Sequence, residues 1–172
     1  NLAISNYATV NHSDGTVSSS ATSKVTVINA STGSYTLSGG SITSSAANAF
    51  SNLGTFMMTS GTVTTAGNAP TYVNNGGTAT FQGGNILNTG GVILTYNVSG
   101  TVNMDGMSLT NTGGILINSK TTDDTSAMNL TNCNITSTGS TAITNYGSLT
   151  ITNGSVTSSA SNAIHNSSKV TL

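Results

Sequence analysis

The chain has 172 residues, the length of one domain, and only 4% of them are charged, against about a quarter in an ordinary soluble domain. Ser, Thr, Asn and Gly supply roughly three-fifths of it, while Arg, Glu and Trp are absent; the scarcity of helix formers excludes an all-α or α/β domain. Three Lys and four Asp give a net charge of -1 and no basic footprint for a phosphate backbone, so nucleic acid is excluded as a main partner; 35% hydrophobic residues and near-zero charge are unlike a disordered chain, and the periodic placement of the apolar residues decides for an all-β fold.

Taken in order, the elements repeat. The chain opens on Ile4-Ser5-Asn6, and a longer first unit, containing Asn11 to Asp14 and Lys24, closes on Val27-Ile28-Asn29. Aligned apolar residues then recur at Leu37, Met58, Phe81, Met104, Leu130, Ile151 and Leu172, with Tyr35, Phe56, Ala79, Val102, Met128, Leu149 and Val170 two residues earlier. Five residues after the first set stand Ile42, Val63, Ile86, Leu109, Ile135 and Val156. Alternation such as Thr78-Ala79-Thr80-Phe81-Gln82 has period two, the mark of a strand with one buried face. Each unit is closed by an Asn, and the spacing assigns the set Asn6, Asn29, Asn52, Asn75, Asn97, Asn118, Asn145 and Asn166.

A unit of this kind cannot fold alone. Its roughly four large apolar side chains contribute about 1.5–3 kcal/mol each when buried, while ordering each residue costs about 1–2 kcal/mol. Stacking lets every strand pair in parallel with its copies above and below, so the expected fold is an all-β, right-handed single-stranded parallel β-helix of about seven to eight rungs, roughly 35 Å long at about 4.8 Å per rung. An inward Asn at each turn offers donors and an acceptor to the turn backbone and to the next Asn, predicting an Asn ladder along the axis. Gly39-Gly40, Gly61, Gly83-Gly84 and Gly154 mark a second corner. From Gly76 to Ser119 the pattern departs: Met107 replaces the corner Gly, and Gly90-Gly91 and Gly113-Gly114 replace the approach to the Asn.

Units of the form apolar-x-apolar-x-[Asn/Gly]-Gly-x-[Ile/Val]-[Thr/Ser]-[Ser/Thr], leading to Ala-[Ile/Phe]-x-Asn, resemble the parallel β-helix repeats of large bacterial surface proteins. The likeness runs from Leu2 to Leu172 and is nearest to Ser/Thr/Asn-rich adhesins of Gram-positive bacteria, more distantly to autotransporter passengers and the pectate-lyase-like superfamily. It implies one β-helix domain over 1–172, a segment of a longer secreted, cell-wall-anchored protein. Its partners would be a host or environmental glycan or protein surface and the flanking domains of the parent. No signal peptide or membrane span is read, since Asn1 to Ser5 lacks a basic region and no apolar run approaches about 20 residues.

Chemistry is sparse. An enzyme of this superfamily would use clustered carboxylates, and the chain offers only Asp14, Asp105, Asp123 and Asp124. Asp105 projects from a strand beside Gln82 and Thr131, and the adjacent Asp123 and Asp124 read as a solvated loop, too divergent in direction to chelate calcium. His165 points outward, Cys133 aligns with the corner glycines and reads as core, and neither has the neighbours of a metal site. No catalytic residue, cofactor or metal is therefore expected. The candidate ligand-contact turns carry His12 and Asp14, Asn68 and Pro70, and Lys120, Asp123 and Asp124.

A hydroxyl grid is the remaining feature: Ser18-x-Ser20, Thr43-x-Ser45, Thr64-x-Ala66, Leu87-x-Thr89, Thr110-x-Thr112, Thr136-x-Thr138 and Thr157-x-Ser159. With about 4.8 Å between rungs and about 6.5–7 Å between alternate residues, it resembles the Thr-x-Thr face of β-solenoid antifreeze proteins. The functions in play are thus a non-enzymatic adhesin or stalk, an ice-binding solenoid, and a polysaccharide-active enzyme. Opening inside one rung and stopping in the first strand of another, the sequence also predicts bare strand edges and end-to-end association.

Overall fold

A computed structural model describes residues 2–91, 93–119 and 125–172. The chain is a parallel β-solenoid of about seven turns, all-β, with no helix among the described residues. Each turn carries three strands, which stack into three faces. The first face is built of three-residue strands such as Ile4–Asn6, Val27–Asn29, Phe50–Asn52, Leu116–Asn118, Ile143–Asn145 and Ile164–Asn166. The second begins with Thr9–His12, Ser34–Leu37 and Thr55–Met58, and the third with Thr16–Ser19, Ser41–Ser44, Thr62–Thr65 and Asn85–Asn88. In the middle and later turns, single strands run through the corners. Tyr72–Phe81 and Thr95–Asp105 join the first face to the second, while Ser126–Ser137 and Ser148–Ser158 join the second to the third.

The register follows the apolar columns. Leu37 pairs with Met58, Phe81 with Met58 and Met104, and Leu130 with Met104 and Ile151. Ile42, Val63 and Ile86 pair in succession on the third face, as do Leu109, Ile135 and Val156. These residues fill the interior, whose first half is aromatic: the Phe50 ring lies 4.5 Å from that of Phe56 and 5.5 Å from that of Tyr72, and Phe81 is 5.0 Å from Tyr72. Through the irregular stretch the register holds, with Thr95 opposite Leu116 and Asn97 opposite Asn118.

The ladder is continuous from Asn6 through Asn29, Asn52, Asn74, Asn97, Asn118 and Asn145 to Asn166, each amide nitrogen donating to the next side-chain oxygen over 2.7–3.0 Å. One rung corrects the spacing argument: Asn74, fully buried, is the ladder residue, and Asn75 is exposed. Two adjacent Asn each follow an apolar residue by two, Tyr72 or Val73. The larger ring of Tyr72 takes the inward slot against Phe50 and Phe81, which turns Val73 outward and carries Asn74 inside.

At the corner between second and third faces, glycines with left-handed backbone turn the chain, as at Gly40, Gly61 and Gly84. In two later turns the left-handed residue stands one position earlier, at Gly106 (φ 67°) and Asn132 (φ 53°), and in the next turn both Asn153 (φ 59°) and Gly154 (φ 88°) are left-handed. That shift frees the following position for a side chain, and Met107 and Cys133 occupy it, both 2% exposed. Burial pushes the Cys133 thiol up from its ordinary value.

Candidate binding surface

Most of the residues singled out from sequence prove to be part of the scaffold. His12 ends the strand Thr9–His12 and points inward, opposite Leu37 in the core column. Its Nδ1 lies 2.9 Å from the Tyr35 hydroxyl and its Nε2 3.3 Å from the Gly15 carbonyl oxygen. Burial in turn lifts the Tyr35 phenol to about 12. Asp14 is exposed in the following turn, its Oδ1 accepting from the Gly15 N–H at 2.7 Å.

The turn with the single proline is tied to its neighbours, because the Pro70 carbonyl accepts from Asn48 Nδ2 at 2.6 Å and the Ala69 carbonyl from Asn88 Nδ2 at 2.8 Å. Asn68 is exposed in this turn. Lys120, Asp123 and Asp124 lie outside the described residues. His165 stands outward beside Tyr146, ring centroids 6.3 Å apart. Among the described residues, no group of three or more His, Cys, Asp or Glu is gathered where it would hold a metal ion.

What the strands do present outward is a polar lattice. On the third face Ser18, Thr43 and Thr64 are in register, as are Thr110, Thr136 and Thr157, and Leu87, 45% exposed, interrupts the column. A parallel column carries Thr16, Ser41, Thr62, Asn85, Ser108, Asn134 and Ser155. Neighbouring side chains bond along the axis, Thr16 Oγ1 to Ser41 Oγ at 2.9 Å and Ser155 Oγ donating to Asn134 Oδ1 at 2.9 Å. The second face has its own outward set, with Thr9, Ser34, Thr55, Thr78 and Thr101 in one column and Asn103, Asn129 and Thr150 in the next.

Longer planar polar groups also stand at the corner after the second face. Asp105 is exposed at the end of Thr95–Asp105, opposite Thr131, with Gln82 in the rung before it. Asn132 Nδ2 donates to Asp105 Oδ1 at 3.2 Å, and Asn129 Nδ2 donates to Asn103 Oδ1 at 2.9 Å. Sequence alignment had placed Asp105 and Asn103 outward, but the neighbours they acquire from other rungs depend on register.

A second inward polar column, which the sequence pattern does not reveal, runs through Ser19, Ser44, Thr65, Asn88, Asn111, Ser137 and Ser158 at the end of the third face. Several of these bond to turn carbonyls, as Ser137 Oγ does to Gly113 at 2.9 Å and Ser158 Oγ to Ser140 at 2.7 Å. Ser and Thr occupy outward positions just as often, so only their register reveals the inner set.

Comparison of the chain with models of protein families, with curated proteins and with solved structures finds no match.

Proposed function

We propose that the chain is a rod-like, non-enzymatic section of a bacterial cell-surface adhesin, secreted and held at the cell wall through its parent protein. In this reading it attaches to glycan or protein surfaces of a host or the environment. The observation that carries the reading is the pairing of an unbroken internal ladder with outward second and third faces made mainly of hydroxyl and amide groups, interrupted by Met57 and Leu87. A scaffold fixed by seven consecutive Asn–Asn bonds is stiff. Uncharged hydrogen-bonding groups repeated every rung suit many weak contacts, which gain strength when presented together. The likeness of the repeat to Ser/Thr/Asn-rich adhesins points the same way.

Among the described residues the carboxylates form no hydrolytic pair. Asp14 and Asp105 occupy the same corner four rungs apart, on the order of 19 Å at the rung spacing, whereas paired catalytic carboxylates stand about 5–9.5 Å apart. Adhesion is tested with beads carrying the chain at rising surface density, allowed to settle on mucin-type glycoprotein, polysaccharide and plain protein coatings. Retention rising steeply with density on at least one coating is expected, and none on any coating at any density overturns the reading.

The hydroxyl columns of the third face support a second reading, ice binding. It predicts thermal hysteresis from the chain free in solution, which an adhesin does not give.

A further inference from the structure

We infer that the corner bearing Gln82, Asn103, Asp105 and Asn132 is where the solenoid takes a neutral glycan, through pairs of neighbouring sugar hydroxyls. The inference rests on the adhesion reading and assigns it a place and a ligand class.

The side chains at this corner differ from those before it. Along the column that ends the second face, the first turn carries Ser13, with Asp14 next to it, the second and third carry Ser38 and Thr59, and Gln82 and Asp105 follow in consecutive turns. In the adjoining corner column, Gly39 and Ser60 give way to Gly83 and Gly106 and then to Asn132 and Asn153. A hydroxyl offers one donor. A carboxylate or carboxamide offers two atoms in a plane, which match two adjacent hydroxyls at once.

The internal bonds leave the right atoms free. Asn153 Nδ2 donates to Asn132 Oδ1 at 3.4 Å and Asn132 Nδ2 donates to Asp105 Oδ1 at 3.2 Å, so the chain of amides ends on an exposed carboxylate, which has a second oxygen to accept from a ligand. Asn103 has its oxygen engaged by Asn129, which leaves its amide nitrogen as a donor. Donor and acceptor therefore stand two residues apart on one strand, about 6.5–7 Å, with Thr80 and Gln82 one rung away at about 4.8 Å. A sugar ring, whose hydroxyls each donate and accept, meets both kinds of partner here.

The corner is also accessible and rigid. Gly106 presents no side chain, and a Cβ built there would meet nothing within 4 Å, leaving an open step beside Asp105. The Gly106 N–H donates to the Thr131 carbonyl at 2.9 Å, pinning the turn to the next rung. Groups held on paired strands lose little freedom on binding, which favours a weak ligand. A lone carboxylate repels an anionic polymer, so the class is a neutral glycan.

The test is electrophoresis of the intact chain through native gels containing yeast mannan, dextran or polygalacturonate. Retardation by mannan or dextran and none by polygalacturonate is expected. Asp105→Asn, which keeps an oxygen for Asn132, and Gln82→Ala combined with Asn103→Ala each weaken retention by about tenfold, the effect of losing a charge-assisted or paired hydrogen bond. Thr36→Ala, on the same face three rungs away, leaves it unchanged. Gln82 is exposed, so Gln82→Ala alone reports on binding without disturbing the fold. Retardation of wild type that persists in every corner variant overturns the site and leaves adhesion standing. If no neutral polysaccharide retards the wild-type chain, the glycan site falls, while bead retention on protein coatings decides the adhesion reading separately.

Discussion

Asn74 illustrates how much one side chain does in this fold. Its amide nitrogen donates to Asn97 Oδ1 at 3.0 Å and to the Gly77 and Ser99 carbonyls at 2.8 and 3.0 Å, and its oxygen accepts from Asn52 at 2.9 Å. Asn74→Leu keeps the volume and strands those partners without water, a cost of about 1–3 kcal/mol. For a chain of this length that is a fall in melting temperature of roughly 2–12 °C. Asn75→Leu, in the exposed neighbouring position, changes stability by less than about 0.5 kcal/mol, and equal melting temperatures for the two variants would place the ladder wrongly. Tyr72 shows the opposite economy. Its hydroxyl is fully buried, close to Asn52 but without a hydrogen bond of good geometry, and burial lifts the phenol well above its ordinary value of 10.0. Because the folded chain keeps phenol protons that the unfolded chain sheds, stability is complete below about pH 10 and declines as pH rises toward 12. Tyr72→Phe removes the unpaired hydroxyl and flattens this alkaline decline while leaving the neutral-pH melting temperature equal or higher. Melts from pH 8 to 12 with the same slope in variant and wild type would contradict it.

At the scale of elements, the corner between second and third faces is where backbone geometry limits the sequence. Gly84 has φ 82°, and an added Cβ would sit 2.7 Å from the Gly61 carbonyl oxygen in the preceding rung; at Gly106, φ 67°, the same atom would meet open space. Gly106→Ala therefore costs only the left-handed penalty, about 1–2 kcal/mol, and Gly84→Ala costs that plus a parting of stacked backbones. Thermal melts should rank Gly84→Ala clearly below Gly106→Ala, and the reverse order would show the corner misassigned. The strands themselves were legible because period-two alternation of Leu, Ile, Val, Met and Phe against Ser and Thr has a single interpretation. The ladder was nearly so, failing only where Asn74 and Asn75 compete. His12 reads as a turn residue in the sequence because the first turn is long and a histidine does not announce an inward position, although Val10 stands two residues before it as Tyr35 does before Leu37. The corner of Gln82, Asp105 and Asn132 was not legible as a unit. Asp105, Gln82 and Asn132 come together only through the register of three turns, and their identities alone resemble those of many other outward positions.

At the scale of the whole molecule, each turn touches only its neighbours, so stability is close to a sum over turns and their interfaces. Because Leu130 lies opposite Ile151, a cut that removes Leu130 to Thr150 deletes one full turn and joins Asn129 to Ile151 without moving any column to the other face. Ile151 then stacks on Met104, as Leu130 did, and Asn118 meets Asn166 in place of Asn145. The shortened chain should fold to the same far-ultraviolet spectrum, melt in one step at a lower temperature, and lose roughly one-eighth of its denaturant m-value, in proportion to the surface no longer buried. Removing about half as many residues, Leu130 to Gly139, interrupts the rung at a point where the strands of the second and third faces lose their partners and the Asn column loses its spacing. That variant should unfold or aggregate. If the two deletions were equally stable, the registered columns and the ladder could not be what holds the turns together, since only the full-turn cut preserves both.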